Sequence, residues 1–162
     1  MTCDHGLMSL LIEILCPAKA QSRSGNRATA LRWAGLIKSL GHRVKITDDL
    51  RDPNFGEKAD VAILLHAYKC RAAAKAFRAR HPDRPLVVAL TGTDLYHDLN
   101  LKPATQRSLE LADRVILLQR AGLSRLAPAI RRKARVIHQS TPVIETPAFA
   151  RERGFEVCVV GH

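Results

Sequence analysis

The chain has 162 residues, 46% of them apolar and 25% charged, which predicts one folded, soluble domain with an adequate core. Its formal net charge of +11 favours anionic partners, whether nucleic acid, phosphorylated metabolites or a membrane surface. Aromatic residues make up only 4% and no recognised nucleic-acid motif is present, which argues against a nucleic-acid partner.

The first element predicted along the chain is a buried strand at residues 10–16, followed by a polar basic loop at 19–25 and a helix from residue 26. Gly25 can adopt backbone angles closed to other residues, and the first N–H groups of the helix present a positive charge to a ligand there. The spacing matches neither dinucleotide nor ATP motifs. We predict an anion-binding site made of Lys19, Arg23, Ser24, Gly25, Asn26 and Arg27.

Alternating strands and helices indicate the fold class. Apolar, strand-like runs occur at residues 10–16, 43–47, 61–66, 86–90, 114–118 and 134–137. Helical patterns lie between most of them, at 26–40, 72–80 and 105–112, and Gly41 ends the first helix. Strands that are almost continuously apolar are typical of a parallel sheet covered on both faces. We predict a doubly wound, Rossmann-like α/β domain.

Polar residues and glycines follow the carboxyl ends of these strands, where ligands bind in such sheets. Because those ends meet at one edge, their loops are expected to converge on one basic pocket. Besides the first loop, the candidates are His66, Thr91, Gly92, Thr93, Asp94, Gln119 and Gln139. Gly25 would serve equally as a turn before a helix that has Asn26 as its N-cap, and Asp94 as the cap of a short helix starting at Leu95.

The cysteines, the first apolar run and the C-terminal residues indicate the cellular compartment of the protein and the limits of its domains. The cysteines show no Cys-x-x-Cys spacing, which favours reduced thiols in a cytoplasmic protein, and the scattered histidines lack metal-ligand spacing. The apolar run before residue 17 is interrupted by Glu13 and too short to span a bilayer. Residues 142–154 read as a linker and 155–160 as a new strand, so we expect a first domain at 1–150 and the first strand of a C-terminal domain at 151–162.

Motifs distributed along essentially the whole chain resemble one enzyme family. The sheet with the turn Thr-Gly-Thr-Asp at 91–94 resembles the N-terminal half of a GT-B glycosyltransferase of the family 4 type, in which that loop commonly reads His-Gly-Thr-Asp. More narrowly, the chain is similar to the selenosugar synthases of selenoneine biosynthesis. That similarity rests on Gly-Asn-Arg at 25–27, Thr-Gly-Thr-Asp-Leu-Tyr at 91–96, Leu-Gln at 118–119 and His-Gln-Ser at 138–140.

The resemblance implies transfer of a sugar from a UDP-sugar, such as UDP-N-acetylglucosamine, to selenophosphate, to give a 1-selenosugar. It implies no cofactor, because the UDP-sugar is a substrate. GT-B enzymes hold the donor nucleotide mainly in the C-terminal domain, so we expect this chain to carry the acceptor side of the cleft and to be inactive alone. Selenophosphate is then expected at residues 24–27.

Asp94 and His66 are the candidate catalytic residues, as the sole carboxylate and the best-placed titratable group of the central cleft loops. Selenophosphate is already anionic and soft, so its attack needs positioning and charge neutralisation rather than a strong base. Thr91 stands where family 4 enzymes commonly have histidine, so no histidine-based role is carried to that position.

Two other functions stay open at this point. One is an ordinary family 4 glycosyltransferase that acts on a sugar or another phosphorylated acceptor, which acceptor competition by selenophosphate would distinguish. The other is a basic module that binds nucleic acid or another polyanion, which strongly salt-dependent binding to any DNA or RNA would favour.

Overall fold

A computed structural model describes residues 8–140, in which six parallel strands form one sheet in the order β2-β1-β3-β4-β5-β6. All six strands predicted between residues 10 and 137 are present, although several are shorter by a residue at one or both ends. The doubly wound, Rossmann-like α/β fold is thereby confirmed. The strands are β1 (Leu11–Leu15), β2 (Arg43–Thr47), β3 (Val61–Leu65), β4 (Leu86–Leu90), β5 (Arg114–Leu117) and β6 (Ala134–Val136).

Helices connect most of the strands, as the sequence predicts. A π-helical segment (Asp94–Asp98) and a 3-10 helix (Arg120–Arg125) also follow β4 and β5, respectively. Among the described residues, no helix is both long enough and apolar enough to cross a membrane. The α-helices are α1 (Gly25–Ser39), α2 (Arg71–Arg80), α3 (Leu99–Leu101), α4 (Pro103–Leu111) and α5 (Pro128–Arg132).

Two hydrophobic cores hold the helices to the sheet, one on each face. On one face α1 packs through Ala30, Trp33 and Ala34 against strand residues such as Ile14. On the other face α2 and α4 pack around Phe77, with α5 beside them. Burying each large apolar side chain contributes about 1.5–3 kcal/mol. The helices on the two faces leave the carboxyl ends of the strands accessible, and this is the edge at which ligands bind in such sheets.

The ends of α1 correct three details of the sequence interpretation. The N-cap is Ser24, whose Oγ accepts the N–H of Arg27 at 3.4 Å, rather than Asn26. Gly25 has no left-handed angle, whereas Gly41 does (φ +86°) and ends the helix as predicted. The helix ends at Ser39 rather than at residue 40, and Leu40, its C-cap, is 69% exposed.

Glu13 is the one acidic residue within β1, and it is only 3% exposed. Its carboxylate accepts the hydroxyl of Thr47 at 2.5 Å and the N–H of Gly56 at 2.9 Å, and Lys45 Nζ lies 2.8 Å away. The buried charge is therefore paired and hydrogen-bonded, as burial requires. It ties β2 and the loop after it to the sheet.

The predicted linker, the predicted strand at 155–160 and the proposed domain limit at 150 lie outside the described residues. Of the cysteines, Cys16 and Cys70 are described, and both are free and buried. Burial raises the pKa of each thiol. Both therefore behave as core residues rather than as reactive thiols.

Candidate functional site

A cavity of about 620 Å³ lies at the carboxyl edge of the sheet, beside the first turns of α1. Residues after β4, β5 and β6 form its other walls, so that segments distant in sequence meet around one space. This is the edge at which ligands bind in open α/β sheets. We call it the large cavity, and its lining is Ser24, Gly25, Asn26, Ala28, Thr29, Arg32, Thr91, Leu118, Gln139 and Ser140.

The start of α1 supplies hydrogen-bond donors to the large cavity. Ser24 uses its side chain and its carbonyl to bind the N–H groups of Arg27 and Ala28, at 3.4 and 3.0 Å. Within residues 8–140 the N–H groups of Gly25 and Asn26 have no acceptor. The first turn contains no acidic residue, so the positive end of the helix dipole is not neutralised there. Both features favour an anion.

Arg32 brings a positive charge to the same cavity from the second turn of α1. Its Nε donates to the Ser140 hydroxyl at 3.3 Å, and the hydrogen bonds found within residues 8–140 leave both Nη groups available to a ligand. Gln139 donates its Nε2 to Thr29 Oγ1 at 2.6 Å. No acidic residue lines the cavity in the described part of the chain. The arrangement can bind a small oxyanion through several charge-assisted hydrogen bonds.

Of the eleven residues predicted to bind the anion or acceptor, five line the large cavity and six do not, among them Gly92, Thr93 and Gln119. Ser24, Gly25, Asn26, Thr91 and Gln139 line the large cavity as expected. The three predicted cations do not line it: Lys19, Arg23 and Arg27.

The positions of these three cations explain why they do not line the large cavity. Lys19 and Arg23 are exposed on the loop before α1. Arg27 is partly buried, and its Nε has no hydrogen-bond partner among residues 8–140. Its charge acts on Cys16, at the end of β1, where it opposes the burial that raises the pKa of that thiol.

Arg32 and Thr29 are the site residues that the sequence interpretation missed. A signal for them exists in the spacing, because positions four and seven residues beyond Gly25 lie on the same helical face. Because α1 begins at Gly25, the helical face that carries Thr29 and Arg32 forms part of the cavity wall. The basic loop therefore predicted the wrong cations for the cavity lining.

A second, smaller cavity of about 210 Å³ adjoins the large one, because Thr91 and Leu118 line both. Gln119 lies here rather than in the large cavity, and its Nε2 donates to the hydroxyl of Tyr96 at 2.5 Å. We call this space the small cavity. Its lining is Leu90, Thr91, Gly92, Leu95, Tyr96, Leu118 and Gln119.

Asp94 organises the loop between these strands from a fully buried position, with 0% exposure. Its Oδ1 accepts the N–H groups of Thr91 and Gly92 at 2.9 and 3.0 Å. Its Oδ2 accepts the N–H of Ala67 at 2.9 Å. The turn itself requires glycine at position 92, where φ is +133°. A catalytic role for Asp94 stays a prediction, and the described contacts give the side chain a structural task.

His66 is buried beside Asp94, with 2% exposure, and it is the one described residue other than glycine with a positive φ, +102°. Such a conformation costs roughly 1–3 kcal/mol and persists only where the surroundings enforce it. Nδ1 accepts the N–H of Lys69 at 3.3 Å, which places the ring proton on Nε2. Nε2 therefore donates to Thr93 Oγ1 at 3.1 Å. Thr93 itself is exposed at the sheet edge.

A neutral His66 makes the stability of the domain depend on pH. Burial lowers the pKa of His66, with Lys69 and Lys102 acting in the same direction and the carboxylates of Asp94 and Asp98 opposing it. Below about pH 6.5 the unfolded chain therefore takes up a proton that the folded chain does not. The free energy of unfolding is expected to fall between about pH 7.5 and about pH 5.5.

Urea unfolding at the two pH values measures this dependence. The pKa of His81 is also lowered, first by burial, and contributes in the same direction. His66→Gln should therefore weaken the dependence without abolishing it. An identical dependence in the variant and the parent chain would refute the role of His66.

A cationic groove lies away from the strand ends, between α2 and α4, with a volume of about 490 Å³. Arg71, Lys75 and Arg107 line it, together with Glu110. We expect this groove to compete with the large cavity for anions that are attracted by the net charge of the chain alone.

No metal-binding cluster is present among residues 8–140, where no three His, Cys, Asp or Glu side chains come close enough together to hold an ion. No protein-family model matches the chain. No curated protein matches it significantly. We therefore infer function from the geometry of the two cavities and from the sequence motifs that line them.

Proposed function

We propose that this chain is the acceptor-binding half of a glycosyltransferase that transfers a sugar from a UDP-sugar, such as UDP-N-acetylglucosamine, to selenophosphate. The observation that carries the proposal is the large cavity, which is lined by Arg32 and by Gly25 and Asn26, whose N–H groups have no acceptor among residues 8–140. Donors of these two kinds bind phosphate-like oxyanions. The motifs at 25–27 and 91–96 support the enzyme class.

The lining also favours an acceptor that is already a nucleophile. A sugar hydroxyl needs a general base within hydrogen-bond reach of its proton. No carboxylate or imidazole from the described residues lines the large cavity. Selenophosphate needs no base, because its selenium is already anionic. This distinction supports selenophosphate over the hydroxyl acceptor of an ordinary family 4 enzyme.

The reaction follows from these roles. Selenium attacks the anomeric carbon, the bond from that carbon to the UDP oxygen breaks, and UDP leaves with the electron pair. Water then cleaves the bond between phosphorus and selenium, which releases phosphate and the 1-selenosugar. The chain's contribution is to position the acceptor and to neutralise its charge. The donor nucleotide is assigned to a second domain, and the free thiols of Cys16 and Cys70 favour a cytoplasmic setting.

Anaerobic calorimetric titrations of the chain with selenophosphate, thiophosphate and phosphate test the proposal. We expect selenophosphate to bind and to do so more tightly than phosphate, since the cavity must take selenium as well as the oxyanion. Equal affinity for all three anions would contradict the selenophosphate assignment. Tight, steeply salt-dependent binding to a random DNA duplex with no binding of the small anions would instead support a polyanion module.

A further inference from the structure

The small cavity lies directly beside the large one, and the two share a wall made of Thr91 and Leu118. We propose that the small cavity binds the sugar ring that selenophosphate receives, so that a glycosyl phosphate or selenophosphate spans both cavities. This inference rests on the proposed function. It assigns a specificity role to Tyr96 and Gln119, which have no charge to offer an anion.

The chemistry of transfer requires two such neighbouring spaces. When selenium bonds to the anomeric carbon, it keeps its bond to phosphorus until water cleaves it. For that interval one selenium atom carries both a phosphoryl group and a sugar ring. A protein that binds this species must hold an anion and a neutral ring on either side of a single atom. Two adjoining cavities of different polarity meet that requirement.

The lining of the small cavity suits a ring with hydroxyl groups and an apolar face. Leu90 and Leu95 supply apolar surface, and none of the described residues that line the cavity is charged. Gln119 donates to the oxygen of Tyr96, so the phenolic proton is directed away from Gln119 and is available to a ligand. The amide oxygen of Gln119 is left as an acceptor. A donor and an acceptor side by side match a sugar hydroxyl or an N-acetyl group.

Two features keep the small cavity open and its aromatic side chain in place. A Cβ built on Gly92 would meet no atom within 4 Å, so this position contributes empty space where another residue would project a side chain. The guanidinium carbon of Arg125 lies 5.9 Å from the centre of the Tyr96 ring, a cation–π contact that restrains the ring. Tyr96 nevertheless stays 43% exposed, so a ligand can reach it.

The test compares binding of N-acetylglucosamine 1-phosphate, inorganic phosphate and free N-acetylglucosamine to this chain by calorimetry. We expect the sugar phosphate to bind about tenfold more tightly than phosphate. The ring adds hydrogen bonds and contacts, and the translational and rotational freedom of the ligand is lost only once. Tyr96→Phe and Gln119→Leu should reduce the sugar phosphate to the affinity of phosphate. Unchanged phosphate affinity in both variants shows that they fold and that the large cavity is intact.

Other outcomes overturn the inference or separate it from the proposed function. A sugar phosphate that binds no more tightly than phosphate, or variants that weaken both ligands equally, would overturn the sugar site. If neither phosphate nor the sugar phosphate binds, the proposed function fails. Titration with free N-acetylglucosamine then tests the small cavity alone. If the sugar binds and Tyr96→Phe weakens its binding, the sugar site is supported, and if the sugar does not bind, the site is overturned.

Discussion

Replacing Asp94 with alanine is expected to lower the free energy of unfolding by roughly 3–5 kcal/mol. The carboxylate accepts three backbone N–H groups at 2.9–3.0 Å from a fully buried position. Alanine would leave those donors without acceptors, and each unsatisfied buried group costs about 1–3 kcal/mol. Partial relaxation of the loop and entry of water reduce these costs. The expected loss of stability is therefore smaller than the sum of three maximal costs.

Urea unfolding followed by circular dichroism measures the loss, and Asp83→Ala provides the matched control. Asp83 is exposed, so its replacement should change the free energy of unfolding by no more than about 0.5 kcal/mol. Asp94→Asn separates the contacts, because its amide oxygen can still accept from two N–H groups while its NH₂ group faces the third. We expect an intermediate loss for it. Alanine variants of Asp94 and Asp83 that are equally stable would contradict the structural role of Asp94.

Replacing Arg32 with alanine is expected to weaken binding of thiophosphate or selenophosphate by about 10- to 100-fold. Hydrogen bonds from a charged donor contribute about 1.5–3 kcal/mol, and Arg32 is the single cation among the described residues that line the large cavity. Stability should change little, because the one hydrogen bond its side chain makes within residues 8–140 is to the exposed Ser140.

Arg23→Ala is the matched control, since it removes the same charge from the exposed loop before α1. We expect a change of less than about threefold, which is what a screened charge at a distance contributes. Calorimetric titration of both variants at one fixed ionic strength makes the comparison. An equal loss in the two variants would mean that the anion responds to the overall field of the chain rather than to the large cavity.

Much of the fold could be predicted from the sequence, because parallel strands buried on both faces leave continuous apolar runs. Those runs located all six strands, and Gly41 located the end of α1. The place of the candidate site at this edge of the sheet could be predicted as well, because the loops after β4 and β6 line the same cavity as the start of α1. The resemblance to a glycosyltransferase family stays a prediction that the fold alone does not test.

The direction of individual side chains could not be predicted in the same way. The basic loop predicted Lys19 and Arg23 as anion ligands, yet the cavity lining depends on the helical face that begins at Gly25. The burial of Asp94 depends on three N–H groups, one of them from a separate strand's loop, and no local pattern encodes that meeting. The left-handed backbone of His66 is likewise enforced by tertiary contacts rather than by its residue type.

The most direct test of the selenophosphate site is to locate selenium in crystals of this chain soaked anaerobically with selenophosphate, using anomalous diffraction at the selenium edge. We expect one strong selenium peak in the large cavity, within contact distance of the N–H groups of Gly25 and Asn26 and of the Arg32 guanidinium. Selenium found only in the groove of Arg71, Lys75 and Arg107, or spread over the basic surface, would contradict it.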